Sequence, residues 1–227
     1  MTKAERKEQA RLDRIQIQRR MARTRRNRAI AIAAVLVAGV AIVGVVALTS
    51  SDNQGASATQ TPPLTGLMTG PEPWPANLET LSDRLVEISI PTFGNPLALH
   101  EHAHLDLFVN GSPVTVPANI GFGPDVQAAL HTHDTTGVVH MESNQADATF
   151  TLGEFFSVWG LKLTPTCIGG YCGAGDNTLR VFVDGEPYQG DPRSLQLHDQ
   201  QEIVVAYGSS SQVPDPLPTF DWASLAP

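Results

Sequence analysis

A run of twenty residues, Ala29–Leu48, contains no charged or strongly polar side chain, and it constrains the chain more than any other feature. At about 1.5 Å per residue, a helix of this length crosses the roughly 30 Å hydrocarbon core of a bilayer. We therefore predict a single transmembrane helix over residues 29–48. A folded domain in water has to be built from the residues that follow.

The charges on the two sides of this run differ in sign. Residues 1–28 hold eleven Lys and Arg against three acidic residues, whereas the rest of the chain holds four basic and twenty acidic residues. Basic residues beside a membrane span are retained in the cytoplasm, which places the acidic part outside. The basic run adjoins an apolar span and has no interleaved aromatic residues. Membrane topology and anionic headgroups explain it, and we predict no nucleic-acid partner.

A cleaved signal peptide is the alternative to an anchor. Ala56-Ser57-Ala58 matches an A-x-A cleavage pattern, and Thr24-Arg25-Arg26 resembles part of a twin-arginine signal. The apolar run, however, exceeds the roughly 7 to 15 residues of a signal-peptide h-region. The sequence favours an uncleaved anchor and leaves cleavage after about Ala58 open.

Composition divides the remaining residues into three segments. Residues 49–76 are rich in Ser, Thr, Gly, Ala and Pro and show no apolar period, as in a flexible linker. Residues 77–208 carry the strand and helix patterns of one domain, which the charge distribution places outside the membrane. Residues 209–227 form a Pro-rich C-terminal tail.

Two helices are predicted in this domain. A short one follows Asn77, a good N-cap residue, and a stronger amphipathic one begins at Thr151, forms a capping box with Glu154 and ends at Gly160. Both present apolar residues at helical spacing: Leu78, Leu81 and Leu85 in the first, and Leu152, Phe155, Phe156 and Trp159 in the second.

Most of the other patterns are typical of strands. Two β-favouring runs flank Asn110-Gly111, a strong hairpin signal, and two more flank the loop from Asp134 to Gly137. LRVFVDGEPY (179–188) and QEIVVAYG (201–208) supply the closing strands. We predict an α+β fold, in which a mostly antiparallel sheet packs on one amphipathic helix in a layout similar to the β-grasp.

Six of the seven histidines lie close together in the sequence: His100, His102, His104, His131, His133 and His140. The first three share one strand face, because side chains along a strand alternate between faces. His131 and His133 share another face. His140 lies across the short loop from them, where antiparallel partners approach to about 4.5 to 5.5 Å at Cβ.

Imidazole is the commonest protein ligand for zinc, copper and nickel. We predict a centre for Cu2+, Zn2+ or Ni2+ formed by five residues: His102, His104, His131, His133 and His140. Four more residues are placed at its periphery: His100, Asp106, Asp134 and Glu142. Each histidine alone has an ordinary alternative, as a solvent-facing residue or a buried one bonded to a neighbour. His198, before Asp199 in a predicted turn, is assigned a structural role.

The two cysteines, Cys167 and Cys172, are close in sequence. In an oxidising compartment a local disulfide is the default for such a pair, because no reducing system keeps the thiols reduced. We predict a structural disulfide, with free thiols or metal ligation as the alternatives.

No G-x-S-x-G, H-E-x-x-H or paired-carboxylate motif occurs in the sequence. The favoured function is therefore metal scavenging, buffering or delivery outside the membrane. One alternative is a metal-independent module that binds a cell-envelope protein. Another is a metal-dependent enzyme, for which the sequence provides no nucleophile or base at a recognisable spacing.

The segments HEHAHLDLFVNG, LHTHDTTGVVHMES and FTLGEFFSVWG resemble those of a family of exported or membrane-anchored bacterial and archaeal proteins with no established activity. The likeness spans about residues 98–208. It implies one coherent extracytoplasmic domain, attached to the plasma membrane of a prokaryote, and transfers no catalytic roles.

Overall fold

The alternating histidines lie on the longest strand of the computed structural model, which describes residues 64–92, 94 and 96–225. The strands of this part are β1 (Leu99–Val109), β2 (Ser112–Val114), β3 (Leu130–His131), β4 (Val138–Ser143), β5 (Cys167–Ile168), β6 (Tyr171–Cys172), β7 (Thr178–Val183), β8 (Glu186–Tyr188) and β9 (Gln201–Gly208). Its α-helices are α1 (Leu81–Ile88) and α2 (Leu152–Trp159).

The predicted basic segment 1–28, the predicted transmembrane helix 29–48 and most of the predicted linker lie outside the described residues. Among the residues that are described, every helix is too short or too polar to cross a bilayer.

β1 is central to the main sheet, whose strands follow the order β3-β4-β1-β9-β7-β8, with β2 also paired to β1. β1 and β9 run parallel, and the other neighbours in this sheet run antiparallel. β5 and β6 form a separate two-stranded hairpin. The predicted α+β class with a mostly antiparallel sheet is confirmed, and an α-helix occurs in each of the two regions where one is predicted.

The two faces of β1 have different surroundings. Apolar odd-numbered residues of β1, among them Leu105 and Leu107, are buried in a hydrophobic core that also contains Phe155 and Trp159 of α2. The even-numbered residues, including the three histidines, project from the opposite face. We call this second face the ligand face. Because the core holds one side of the strand, the histidines have to lie on the other.

Two turns have the backbone geometry that their sequences favour, the predicted one at Asn110-Gly111 and one at Asp184-Gly185, which divides the predicted strand 179–188 into two. Asn110 and Gly111, between β1 and β2, have φ of 50° and 82°, and Asp184 and Gly185, between β7 and β8, have φ of 50° and 85°. Positive φ at both central residues is typical of the type I′ hairpin turn, whose twist matches that of the strands. The hairpin prediction at Asn110-Gly111 is confirmed.

α2 begins and ends as its sequence predicts. The Thr151 hydroxyl accepts a hydrogen bond from the Glu154 N–H at 3.2 Å, and the Glu154 carboxylate accepts one from the Thr151 N–H at 2.8 Å. Gly160 ends the helix with φ of 78°, in the left-handed region that glycine adopts without strain.

α1 begins at Leu81, four residues beyond the predicted Asn77 cap. The Asn77 amide instead donates to the carbonyl of Gly66, and its own carbonyl accepts from the Arg84 guanidinium. The Asn77 amide is thus engaged with Gly66, and Thr80 occupies the N-cap position. The prediction of a helix here is confirmed, and the predicted starting residue is wrong.

Arg84 is fully buried and joins the two helices. Its guanidinium donates to the carbonyls of Ser157 and Val158 at 2.8 Å and 3.0 Å, and to the Thr80 hydroxyl at 2.6 Å. The last carbonyls of a helix have no partner within it, so a cation that donates to them both satisfies them and opposes the negative end of the helix dipole. Burial lowers the pKa of Arg84.

We expect Arg84→Met to lower the free energy of unfolding by on the order of 3 kcal/mol, because it leaves several buried carbonyls without donors. Denaturant titration of the full-length chain measures this change. Arg193 is the matched control, since its ion pair with Asp191 is surface-exposed. Arg193→Met should cost less than about 1 kcal/mol. Equal losses for the two variants would contradict a structural role for Arg84.

Cys167 and Cys172 occupy paired positions of the β5–β6 hairpin and form a disulfide. No free cysteine occurs among the described residues. The predicted disulfide is therefore present, and neither sulfur is available as a thiolate ligand.

The segments next to the predicted domain also contact it. Trp74, in the predicted linker, is buried in the hydrophobic core. Phe220, in the predicted tail, stacks on the ring of His104 with a centroid distance of 4.4 Å, and its N–H donates to Glu202 of β9. In the described residues, packing thus extends beyond the 77–208 boundaries on both sides.

Candidate metal centre

Three histidines form a row across the ligand face. His131 of β3 pairs with His140 of β4, and His140 pairs on its other side with His102 of β1. Directly opposed residues of neighbouring strands project from the same face with their Cβ atoms about 5 Å apart. The strand order β3-β4-β1 therefore places His140 in the middle of the row.

Two more histidines and a carboxylate complete the cluster. His100 lies opposite Glu142 in the β1–β4 register, and His133 follows His131 beyond the end of β3. The ring of His140 is 4.3 Å from that of His133 and 4.5 Å from that of His102, and it is nearly perpendicular to both. His131 stacks almost parallel to His140 at 5.2 Å.

The structure brings ligand atoms of four residues within 4.8 Å of one another: His131, His133, His140 and Glu142. We call this set the four-residue group. His131 is buried and His133 is exposed, so the group extends from the interior to the solvent. Three imidazoles and one carboxylate in this arrangement could hold a metal ion.

His131 is held in one orientation by a backbone contact. Its Nδ1 lies 3.0 Å from the carbonyl oxygen of Ala128. A carbonyl only accepts, so Nδ1 carries the proton of the neutral ring and Nε2 keeps its lone pair. Nε2 is 3.8 Å from Oε1 of Glu142. The contact with Ala128 thus presents a ligand-competent nitrogen toward the carboxylate, as hydrogen bonds behind metal-binding histidines commonly do.

His140 contributes a second indication of a ligand. Its Nδ1 is buried and has no hydrogen-bond partner within the part of the chain that the structure describes. Leaving a buried polar atom without a partner costs about 1–3 kcal/mol. A bound cation would supply the missing interaction.

The cluster keeps its central histidines neutral. Burial, with a smaller contribution from the neighbouring His133, lowers the pKa of His131 to about 4. Burial and the adjacent His102 and His131 lower the pKa of His140 to about 3. Metal ligation needs deprotonated nitrogens, so near neutral pH a cation would meet little competition from protons at these two residues.

A second set of ligand atoms lies beside the first. His100, His102 and His140 also bring one ligand atom each within 4.8 Å of one another, and we call them the three-histidine group. The His102 N–H donates to Asp199 at 3.0 Å, which fixes the backbone of β1 at this point. Burial, followed by the nearby His100, lowers the pKa of His102.

His104, predicted as a ligand, has other partners. It lies opposite Val138 of β4, where no further histidine is available. Its Nε2 lies 2.8 Å from the carbonyl of Thr136, and its Nδ1 lies 3.4 Å from Asp106. With Phe220 stacked on the ring, His104 belongs to neither group.

The other residues predicted at the periphery differ in position. Glu142 is part of the four-residue group and His100 of the three-histidine group. Asp106 contacts His104, and burial raises the pKa of its carboxyl. Asp134 accepts hydrogen bonds from the Thr136 side chain and N–H, which lower its pKa and close the loop before β4.

Sequence patterns missed the aromatic residue beside the cluster. Phe122 lies 4.7 Å from the ring of His131 and 5.3 Å from that of His133. It comes from the loop between β2 and β3, and no periodic pattern indicated its position. An apolar ring against the imidazoles helps to exclude water from them.

No protein-family model matches the chain, and no curated protein or solved structure is significantly similar to it.

The lowered pKa values of His131 and His140 predict an acid-sensitive fold. An unfolded histidine titrates near 6.5, so between about 6.5 and 4 the unfolded chain binds more protons than the folded chain, and acid favours unfolding. For His131 alone, we expect the free energy of unfolding to fall by on the order of 2 kcal/mol between pH 7 and pH 5. Denaturant titration of the full-length chain at each pH, in the presence of chelator, measures this fall.

Two variants check the origin of this effect. His131→Leu removes one of these two histidines, His131 and His140, and should reduce the fall in the free energy of unfolding between pH 7 and pH 5. His198 is exposed and lies outside both groups, so His198→Ala should retain the full loss. A free energy of unfolding that is constant over this pH range would contradict the burial of neutral histidines.

Proposed function

We propose that this chain binds a transition-metal ion at the four-residue group, outside the plasma membrane of a prokaryote, for scavenging, buffering or delivery. The convergence of His131, His133, His140 and Glu142 on one volume carries the proposal. The partnerless buried Nδ1 of His140 and the fixed orientation of His131 support it independently.

The donor set favours Cu2+, Zn2+ or Ni2+. Imidazole nitrogens suit these three ions, and both cysteines are held in a disulfide, so the thiolates that favour Cu+ are absent from the described residues. A tetrahedral zinc ion with bonds of about 2.0 Å holds its ligand atoms roughly 3.3 Å apart. Ligand atoms within 4.8 Å therefore need to move inward by on the order of 1 Å.

The mixed burial of the group favours an exchangeable ion. His131 and Glu142 anchor it in the interior, whereas His133 is exposed at its mouth. An ion bound there is accessible to an incoming ligand from a donor or an acceptor. That arrangement suits uptake, storage and transfer better than a purely structural metal enclosed on all sides.

The location is part of the proposal. An apolar run over residues 29–48 that follows a basic segment supports a single-pass anchor with the N-terminus in the cytoplasm. The acidic composition of the rest and the disulfide agree with an oxidising exterior. An envelope protein that exchanges the ion would be the natural partner.

We also propose a β-grasp-like arrangement for the domain. A first hairpin, β1 and β2, precedes a helix, and the last strand, β9, inserts parallel to β1 and next to β7. β3 and β4 are then an insertion between the hairpin and the helix. On this interpretation, the insertion supplies most of the ligands.

Metal content of the full-length chain tests the proposed function. We expect the chain, dialysed against Zn2+, Cu2+ or Ni2+ and analysed by elemental analysis, to retain more ion than a His131→Ala/His133→Ala variant retains. At 100 times its Kd the ion should raise the free energy of unfolding by about 2.7 kcal/mol. His198→Ala is the matched control and should retain as much metal as the unmodified chain.

Two results would overturn this function. One is metal uptake no greater than that of the His131→Ala/His133→Ala variant. The other is an unfolding temperature that is the same with ion and with chelator. Both together would favour the metal-independent interaction module.

A further inference from the structure

We propose that the cluster holds two metal ions, bridged by the imidazole of His140. One ion lies in the four-residue group and the second in the three-histidine group. This inference rests on the proposed function, because it adds a second ion to the same cluster.

The topology places His140 between two sets of ligands. β4 has β3 on one side and β1 on the other, so residues of the two groups approach His140 from opposite directions. His131 reaches it from β3, and His102 reaches it from β1. His140 is the one residue that both groups share.

The rings around His140 suit binding on both of its edges. His133 and His102 meet its ring at 4.3 Å and 4.5 Å, each at an interplanar angle of 86°. An imidazole has two nitrogens that point away from each other, and each can bind one ion in the plane of the ring. One nitrogen can therefore serve the four-residue group while the other serves the three-histidine group.

His131 cannot serve as the bridge, because Ala128 occupies its Nδ1. His140 differs, since its buried Nδ1 has no hydrogen-bond partner in the described part of the chain. Both ring nitrogens of His140 are thus available to bind an ion at the position where the two groups meet. This difference assigns the bridge to His140.

The negative charge of Glu142 supports the binding of a pair of cations in this cluster. Oε1 of Glu142 lies 3.4 Å from Nε2 of His100 and 3.8 Å from Nε2 of His131. The carboxylate of the four-residue group therefore also lies beside a histidine of the three-histidine group, where it would attract both cations. Binding of the second ion displaces the N–H proton of His140 to solvent, and the resulting imidazolate adds a second negative charge between them.

A Cu2+ titration of the full-length chain, followed by metal counting and electron paramagnetic resonance, tests the bridge. We expect two ions per chain, with the integrated resonance signal rising to the first equivalent and falling as the second is bound. The fall arises because an imidazolate bridge couples the two copper spins. Calorimetric titration with Cu2+ in buffers of different ionisation enthalpy should show that an additional proton is released when the second ion binds.

Variants assign the two ions to the two groups. His100→Ala/His102→Ala should reduce the count from two to one and leave an uncoupled signal. It retains the backbone N–H that bonds to Asp199, so the strand is not released. His131→Ala/His133→Ala should also leave one ion, and His198→Ala should leave two. Circular dichroism and thermal unfolding verify that each variant is folded.

The possible counts separate this inference from the proposed function. One ion that is retained by His100→Ala/His102→Ala and lost in His131→Ala/His133→Ala overturns the second ion and leaves the proposed function intact. One ion lost in both variants indicates a single centre and also overturns it, as do two ions whose spins are never coupled. No specific binding overturns both proposals.

Discussion

The burial of one face of β1 is the constraint on which the rest of the structure depends. Leu105 and Leu107 point into the core, so the alternation of the strand directs its histidines to the opposite face. A slip of one residue would bury imidazoles and expose leucines, at the cost of both desolvation and lost apolar contacts. The hydrophobic core therefore holds the histidines of β1 on the opposite face of the sheet.

Much of the local structure follows from short sequence patterns because local contacts stabilise it. The capping box of Thr151 and Glu154 fixes the start of α2, and Asn110-Gly111 fixes the first hairpin. The shared face of the histidines follows from their spacing alone. Each of these features is decided within a few residues, and the structure has each of them.

The membership of the cluster depends on strand register, which spacing does not contain. The alternation of side chains places His100 and His104 on the same face of β1 and does not distinguish them as candidate ligands. Pairing with β4 then sets His100 opposite Glu142 and His104 opposite Val138. The predicted ligand His104 therefore lacks partners on β4, and the predicted peripheral residue His100 gains them. Arg84 is similar, since two of its carbonyl partners, Ser157 and Val158, lie more than seventy residues away in the chain.

The contact between Phe220 and His104 brings the end of the described chain back to the ligand face. The last described residue, Leu225, lies only five positions further along. An oligohistidine affinity handle fused to the C-terminus would be tethered within a short distance of the native imidazoles and would compete with them for the ion that we propose they bind. Recombinant preparations intended for stoichiometry should carry a removable handle, excised before any ion is added.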